Sequence, residues 1–223
     1  MDRPVREQEG RLVRVSAGPV TVEGNLVVPA GAQGVVLFAH GSGSSRFSPR
    51  NRYVAHTIQE GGLGTLLIDL LTEEEERIDL RTREIRFDIP LLAERLVGAV
   101  DWLRANEETH ELSIGLFGSS TGAAAALMAA PRRPEAIGAI VSRGGRPDLA
   151  GAALRQVQAP TLLIVGGRDT VVITLNEQAL AQLQVEKRLE IVPGATHLFE
   201  EPGALEKVAE LARDWFRQHL AAG

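Results

Sequence analysis

A serine, an aspartate and a histidine, each placed just after an apolar run, are the residues of this chain best suited to acyl-transfer chemistry. The serine lies in Leu112-Ser-Ile-Gly-Leu-Phe-Gly118-Ser119-Ser120-Thr121-Gly122-Ala-Ala-Ala-Ala-Leu127, which reads as strand, turn and helix. Gly118, Ser120 and Gly122 form the pattern Gly-x-Ser-x-Gly, a nucleophile elbow in the setting it needs. A serine on so sharp a turn has its hydroxyl raised above a sheet. The glycines let strand and helix backbones come close, and Ala123 to Ala126 continue a small helix face. A hydroxyl is a weak nucleophile unaided. It needs a base, a group that orients the base, and donors for the oxyanion.

Chain order supplies one candidate for each role. The apolar strand Thr161–Val165 opens into Gly166-Gly167-Arg168-Asp169, and the strand Arg188–Val192 opens into Pro193-Gly194-Ala195-Thr196-His197. Asp169 follows Ser120 by 49 residues and His197 follows Asp169 by 28, each interval long enough for one crossover helix and its strand. Both residues should lie at the carboxyl ends of strands, where open α/β sheets gather their ligands. Upstream, Val35–Ala39 runs into His40-Gly41-Ser42-Gly43-Ser44-Ser45. One oxyanion donor is expected from the backbone of Thr121, and the other from Ser42, with Gly43 the alternative.

Four segments resemble the dienelactone-hydrolase-like group of the α/β hydrolases. They are His40–Asn51, Gly118–Gly122, Val141-Ser-Arg-Gly-Gly-Arg-Pro-Asp148, and Gly166-Gly-Arg-Asp169 taken with Ala195-Thr-His197. The resemblance extends from the first long strand to the C-terminal helix. It implies a mostly parallel central sheet with helices on both faces, and an ester or lactone hydrolase with a triad. The hydrolases that name the group carry a cysteine nucleophile, whereas this chain has no cysteine. The resemblance therefore bears on fold and triad, not on a dienelactone substrate.

Composition sets the outer bounds. With 223 residues, 44% hydrophobic and 24% charged, the chain suits one α/β domain over 1–223. A net charge of −5 argues against nonspecific binding to nucleic acid or an anionic membrane. The absence of cysteine removes disulfides, thiolate chemistry and Cys-based metal sites. Met1 to Glu9 has no signal-peptide core, and no apolar run reaches membrane-spanning length, so a cytoplasmic protein is expected. Small ester substrates and water are the expected partners, with no metal or organic cofactor. Oligomeric state is not legible.

The elements that must position these residues alternate after a β start. Arg11–Val15 and Val20–Val28 read as an antiparallel hairpin through Gly18-Pro19. Strands follow at Val35–Ala39, Thr65–Asp69 and Ile137–Ser142; helices are predicted over Asn51–Glu60, Ile89–Arg104, Leu175–Gln184 and Leu205–His219. Leu71 to Arg86, with Glu73 to Glu76 consecutive, reads as a charged surface excursion. Only Arg143 to Pro160 separates two strands where many α/β hydrolases insert a helical cap, so the site should lack a lid domain.

Each candidate has a plainer reading. Ser120 and Asp169 could be helix caps. Asp148 rivals Asp169 as the acid, and His40, His56, His110 and His219 rival His197. Arg46, Arg50, Arg81, Arg83, Arg143 and Arg146 could grip a substrate carboxylate or phosphate, Arg46, Arg143 and Arg146 foremost. Pairing with Asp69, Asp79 or Asp148 is the simpler expectation. Gly41-Ser42-Gly43 before Asp69 could also belong to a dinucleotide-binding or non-catalytic module, although Arg46 replaces the third glycine and Pro49 is expected to delay the helix start.

Overall fold

The computed structural model describes residues 10–220, and Met1 to Glu9, with the expectation placed on them, lie outside the described residues. Eight strands form one sheet: β1 Arg11–Ala17, β2 Val20–Val27, β3 Gly34–Ala39, β4 Gly64–Ile68, β5 Ser113–Ser119, β6 Ile137–Arg143, β7 Thr161–Gly166 and β8 Lys187–Val192. Their spatial order is β1-β2-β4-β3-β5-β6-β7-β8. β1 and β2 are antiparallel, β2 meets β4 antiparallel, and β4 through β8 run parallel.

Burial explains the two styles of strand. β1 alternates exposed and buried residues, as expected for a hairpin with one wet face, while β3, β4 and β7 are buried throughout. The described residues form six α-helices: α1 Pro49–Glu60, α2 Glu73–Thr82, α3 Ile89–Ala105, α4 Thr121–Ala129, α5 Thr170–Gln182 and α6 Ala204–Leu220. β3 divides its side chains between two cores. Val35, Leu37 and Ala39 pack with residues of α3 and α4, and Val36 and Phe38 pack with residues of α1 and α6. None of the described helices is long and apolar enough to cross a membrane.

The main departures from the sequence reading concern three helices. The charged excursion contains a helix, α2, because Thr72 and Glu75 form a capping box and four glutamates occupy its positively polarised first turn. α1 begins at Pro49, not Asn51. Proline suits the first helical turn, and Ser48 Oγ accepts the Asn51 N–H at 3.4 Å. α5 begins at Thr170, five residues earlier than predicted, directly behind Asp169. The interval between β6 and β7 contains a 3₁₀ run, Pro147–Gln156, interrupted at Gly151, and no cap.

The topology decides where chemistry can occur. From β3 the chain goes to β4 on one side, and later to β5 on the other. The carboxyl ends of β3 and β5 are therefore neighbours at a switch point, where loops diverge and leave a crevice.

Candidate active site

Ser120 is placed by backbone strain. It adopts φ 51° and ψ −119°, a region that non-glycine residues enter at a cost of about 1–3 kcal/mol. Close packing forces the turn. A Cβ on Gly118 would lie 2.4 Å from Ala123 Cα, and one on Gly122 would lie 2.3 Å from the Ala39 carbonyl oxygen. Only glycine fits either position. Although Ser120 precedes α4, its side chain makes no capping hydrogen bond.

Asp169 behaves likewise. It occupies the N-cap position of α5 without a side-chain cap, and its carboxylate instead faces His197, with Oδ2 2.6 Å from Nδ1. That bond puts a proton on Nδ1 and leaves Nε2 as the free acceptor in the neutral ring. The histidine loop is itself fixed. Arg168 N–H donates to the Ala195 carbonyl at 2.9 Å, and Glu201 accepts the Thr196 N–H at 3.0 Å. That backbone donor holds the Glu201 carboxyl below the usual range. Phe199, two residues past His197, takes φ 55° and is fully buried, which turns the chain back into the core.

Ser120 and His197 both lie against the turn after β6. Ser120 N–H donates to the Arg143 carbonyl at 3.3 Å, and Arg146 N–H donates to the Ser120 carbonyl at 3.1 Å. Between them, a Cβ on Gly144 would be 3.5 Å from His197 Nδ1 and Cε1. No hydrogen bond joins the Ser120 hydroxyl to His197 among the described residues; such bonds are often long in unliganded sites and tighten with substrate.

Across the crevice, the loop after β3 is pinned by side chains. His40 Nε2 accepts the Leu70 N–H at 3.0 Å, so Nδ1 carries the proton and donates to the Gly41 carbonyl at 2.9 Å. Burial of this ring pushes its pKa below 6.5, against opposing contributions from the Gly41 carbonyl, Asp69 and Glu76. Ser42 Oγ lies 2.8 Å from Thr121 Oγ1, which ties this loop to the elbow. A Cβ on Gly41 would approach Ser120 Cβ to 3.2 Å. Thr121 is the first residue of α4, where backbone N–H groups lack helical partners and favour negative charge. A cavity of about 60 Å³ adjoins this side, with Ser42, Leu71, Leu80, Leu92 and Thr121 in its wall.

The remaining candidates separate clearly. Arg46 pairs with Asp69 and with Glu23 at 2.6 Å, donates to Asn25 Oδ1 at 3.0 Å, and stacks on Phe47. Arg146 holds Asp148 through two bonds of 2.9 and 2.8 Å, which raises the arginine pKa and occupies the rival acid. Arg143 breaks the expectation that the loop arginines pair with local acids. It is buried with no ion pair or side-chain hydrogen bond among the described residues. His56 and His219 sit in α1 and α6, and His110 faces the Glu107 carbonyl, all away from Ser120. One residue was not foreseen: Asn176 of α5, fully buried, donates to the Gly145 carbonyl at 3.1 Å and braces the turn beneath His197. A lone asparagine on an apolar helix face was the available signal.

An eight-stranded, mostly parallel sheet with an elbow at the end of β5 defines an α/β-hydrolase fold. The dienelactone hydrolase family matches residues 22–220, and the chain belongs to that family. It is 65% identical to a crystal structure described as a dienelactone hydrolase from Anabaena variabilis, covering 96% of this chain and 100% of that one with a TM-score of 0.93. It is also 57% identical over 219 residues to a Mycobacterium tuberculosis protein named "Putative phosphoribosyl transferase", covering 98% of this chain and 48% of the relative. This chain therefore spans about half the length of that relative. The fold is shared at 15% identity and a TM-score of 0.77 with Est1E of Butyrivibrio proteoclasticus.

Proposed function

We propose that the protein is a serine hydrolase that cleaves a small carboxylic ester, lactone or thioester through an acyl-enzyme. The observation that carries this reading is the 2.6 Å contact of His197 Nδ1 with Asp169, beside a serine held at φ 51° with no cap to form. His197 Nε2 takes the Ser120 proton as the serine oxygen attacks the carbonyl carbon. Asp169 keeps the ring in the required tautomer and stabilises the imidazolium. Backbone N–H groups of Thr121 and of Ser42, with Gly43 the alternative, receive the oxyanion. His197 then protonates the leaving group, and the same histidine activates the water that releases the acid.

The small cavity beside Ser42 and Thr121 favours a short acyl or alcohol group on that side. The phosphoribosyl transferase name of the longer relative is, in this reading, left to the part outside the match. The nucleotide-binding alternative loses support from Arg46. It bonds to and neutralises Asp69, the acid that a ribose would require.

Treatment with a labelled fluorophosphonate tests the proposal. Mass spectrometry should find the adduct on Ser120, and folded Ser120→Ala protein should take up none. A folded wild-type protein that resists labelling would overturn the reading.

A further inference from the structure

Among the described residues, three largely buried guanidinium groups have carboxylates and that of Arg143 does not. Arg95 meets Glu75 at 2.5 Å, Arg86 meets Asp79 at 2.6 Å, and Arg46 meets Asp69 and Glu23. Arg143 is 8% exposed, and its Nη1 is enclosed without a partner. Leaving a charge of this kind unpaired is among the costlier arrangements a fold can adopt.

Its neighbourhood increases the cost. Arg143 pairs in register with Ser119, so the two side chains point to the same face of the sheet. Ser119 Oγ lies 3.3 Å from Asn51 Oδ1, which identifies that face as the one covered by α1. Arg50 projects from the first turn of α1, and its Nε is also enclosed without a partner. Burial, and then repulsion from Arg50, pull the Arg143 pKa down to about 10. Arg143 thus lies on the face covered by α1, near enough to Arg50 to feel its charge and toward the helix end that favours anions. Glu200 offers the pair its one acid among the described contacts, 3.4 Å from Arg50 on a 65% exposed side chain.

We propose that Arg143 and Arg50 form an anion subsite beside Ser120 and His197, which receives a carboxylate or phosphate carried by the substrate. The subsite adjoins the proposed chemistry through the backbone. The Arg143 carbonyl accepts the Ser120 N–H, and the next residue, Gly144, packs on the His197 ring. Arginine suits the task because its planar fork matches two oxygens of an oxyanion. An arriving anion would satisfy the enclosed nitrogens and remove the repulsion between the two cations. The substrate is then an anionic ester whose charged group lies on the histidine side, opposite the cavity by Ser42. This last step rests on the serine-hydrolase reading; the anion site does not.

Thermal melts of the full chain in inorganic phosphate, in succinate and in sodium chloride of equal ionic strength provide the test. Phosphate or succinate should raise the wild-type melting temperature by about 2 °C or more over chloride. Which of the two is more effective identifies the source of the anion. Ser120→Ala should retain the shift, Arg143→Met should lose it, and Arg143→Lys should keep part. Should Arg143→Met fail to fold, Arg50→Met takes its place and must reduce the shift. No shift in wild type, or an equal shift in wild type and these variants, overturns the site. For the substrate link, the kcat/KM ratio of a succinate monoester over its neutral analogue should fall at least tenfold in Arg143→Met. An unchanged ratio overturns that link. Absent fluorophosphonate labelling with a persistent anion shift would remove the hydrolase reading and leave the subsite standing.

Discussion

The two loops that face each other across Ser120 are held in opposite ways. The loop after β3 is fixed by side chains whose hydrogen-bonding groups are well used: both nitrogens of His40, the hydroxyl of Ser42, and the guanidinium of Arg46. The turn after β6 and the His197 loop are fixed mainly by backbone, as in Gly144 N–H to Ile164 at 2.8 Å and Gly167 N–H to Val192 at 2.9 Å. Around that turn Ser142 Oγ, Asn176 Oδ1 and Arg143 Nη1 are enclosed without partners among the described residues. The contrast suits a division of labour. A preorganised wall receives developing charge without rearranging. A wall with spare hydrogen-bonding capacity can still respond to a ligand.

The largest effects should come where the two walls meet. Ser120→Ala or His197→Ala should each lower kcat on the order of 10³-fold or more, and the double variant should be scarcely worse than either. Near-wild-type ester hydrolysis by folded Ser120→Ala protein would reject the assignment.

On the histidine wall, Asp169→Asn should cost about 10²- to 10⁴-fold in kcat, because the amide supports the wrong imidazole tautomer. Asp148→Asn should cost under about tenfold, since its carboxylate serves Arg146 and not His197. Kinetics on both folded variants decide the point, and a reversed order would transfer the role to Asp148.

On the opposite wall, His40→Ala should lower kcat about 10- to 100-fold, less than a lost triad member, with KM changing little. Both hydrogen bonds of the imidazole go to backbone, so it would act by placing Ser42 and Gly43. A pure KM effect would show that the loop binds substrate without stabilising the oxyanion. Arg46→Met should act on stability, lowering it by ~1–3 kcal/mol in denaturant melts, as its acids are half-buried rather than enclosed. No change in the midpoint would mean that the network is ornamental.

The smallest effect is in pH. His40 is depressed below 6.5 in the folded state by burial, so on acidification the unfolded chain takes up a proton that the native ring refuses. Stability from this group is present above pH 6.5 and is lost as pH falls below it, at up to about 1.4 kcal/mol per pH unit. Melts of wild type should therefore decline more steeply below pH 6.5 than those of His40→Gln. Parallel declines would assign the acid sensitivity to other groups.

Much of the fold was legible because parallel strands buried on both faces leave apolar runs such as Val35–Ala39 and Thr161–Val165. α2 was not. Its four consecutive glutamates resemble a solvated charge run, and the capping box that makes them helical is a local hydrogen-bond arrangement rather than an apolar period. Arg46 and Arg146 pair with acids as the simpler expectation had it, because those acids lie nearby in sequence or one strand away. The same reasoning failed for Arg143. Its sequence neighbour Asp148 was available on paper, but strand alternation sends Arg143 through to the α1 face while Arg146 takes Asp148.

The sequence by itself determined the alternation of strands and helices, the sharp turn around Ser120, and the order serine, aspartate, histidine. All of these depend on local sterics and chain order. Tertiary structure decided that Asp169 faces His197 instead of capping α5, that His40 is a strut between Gly41 and Leu70, and that Arg143 feels the charge of Arg50 and pairs with no acid among the described residues. Partnership between side chains depends on which strand ends lie side by side, and that arrangement follows from the sheet order, which no local pattern encodes.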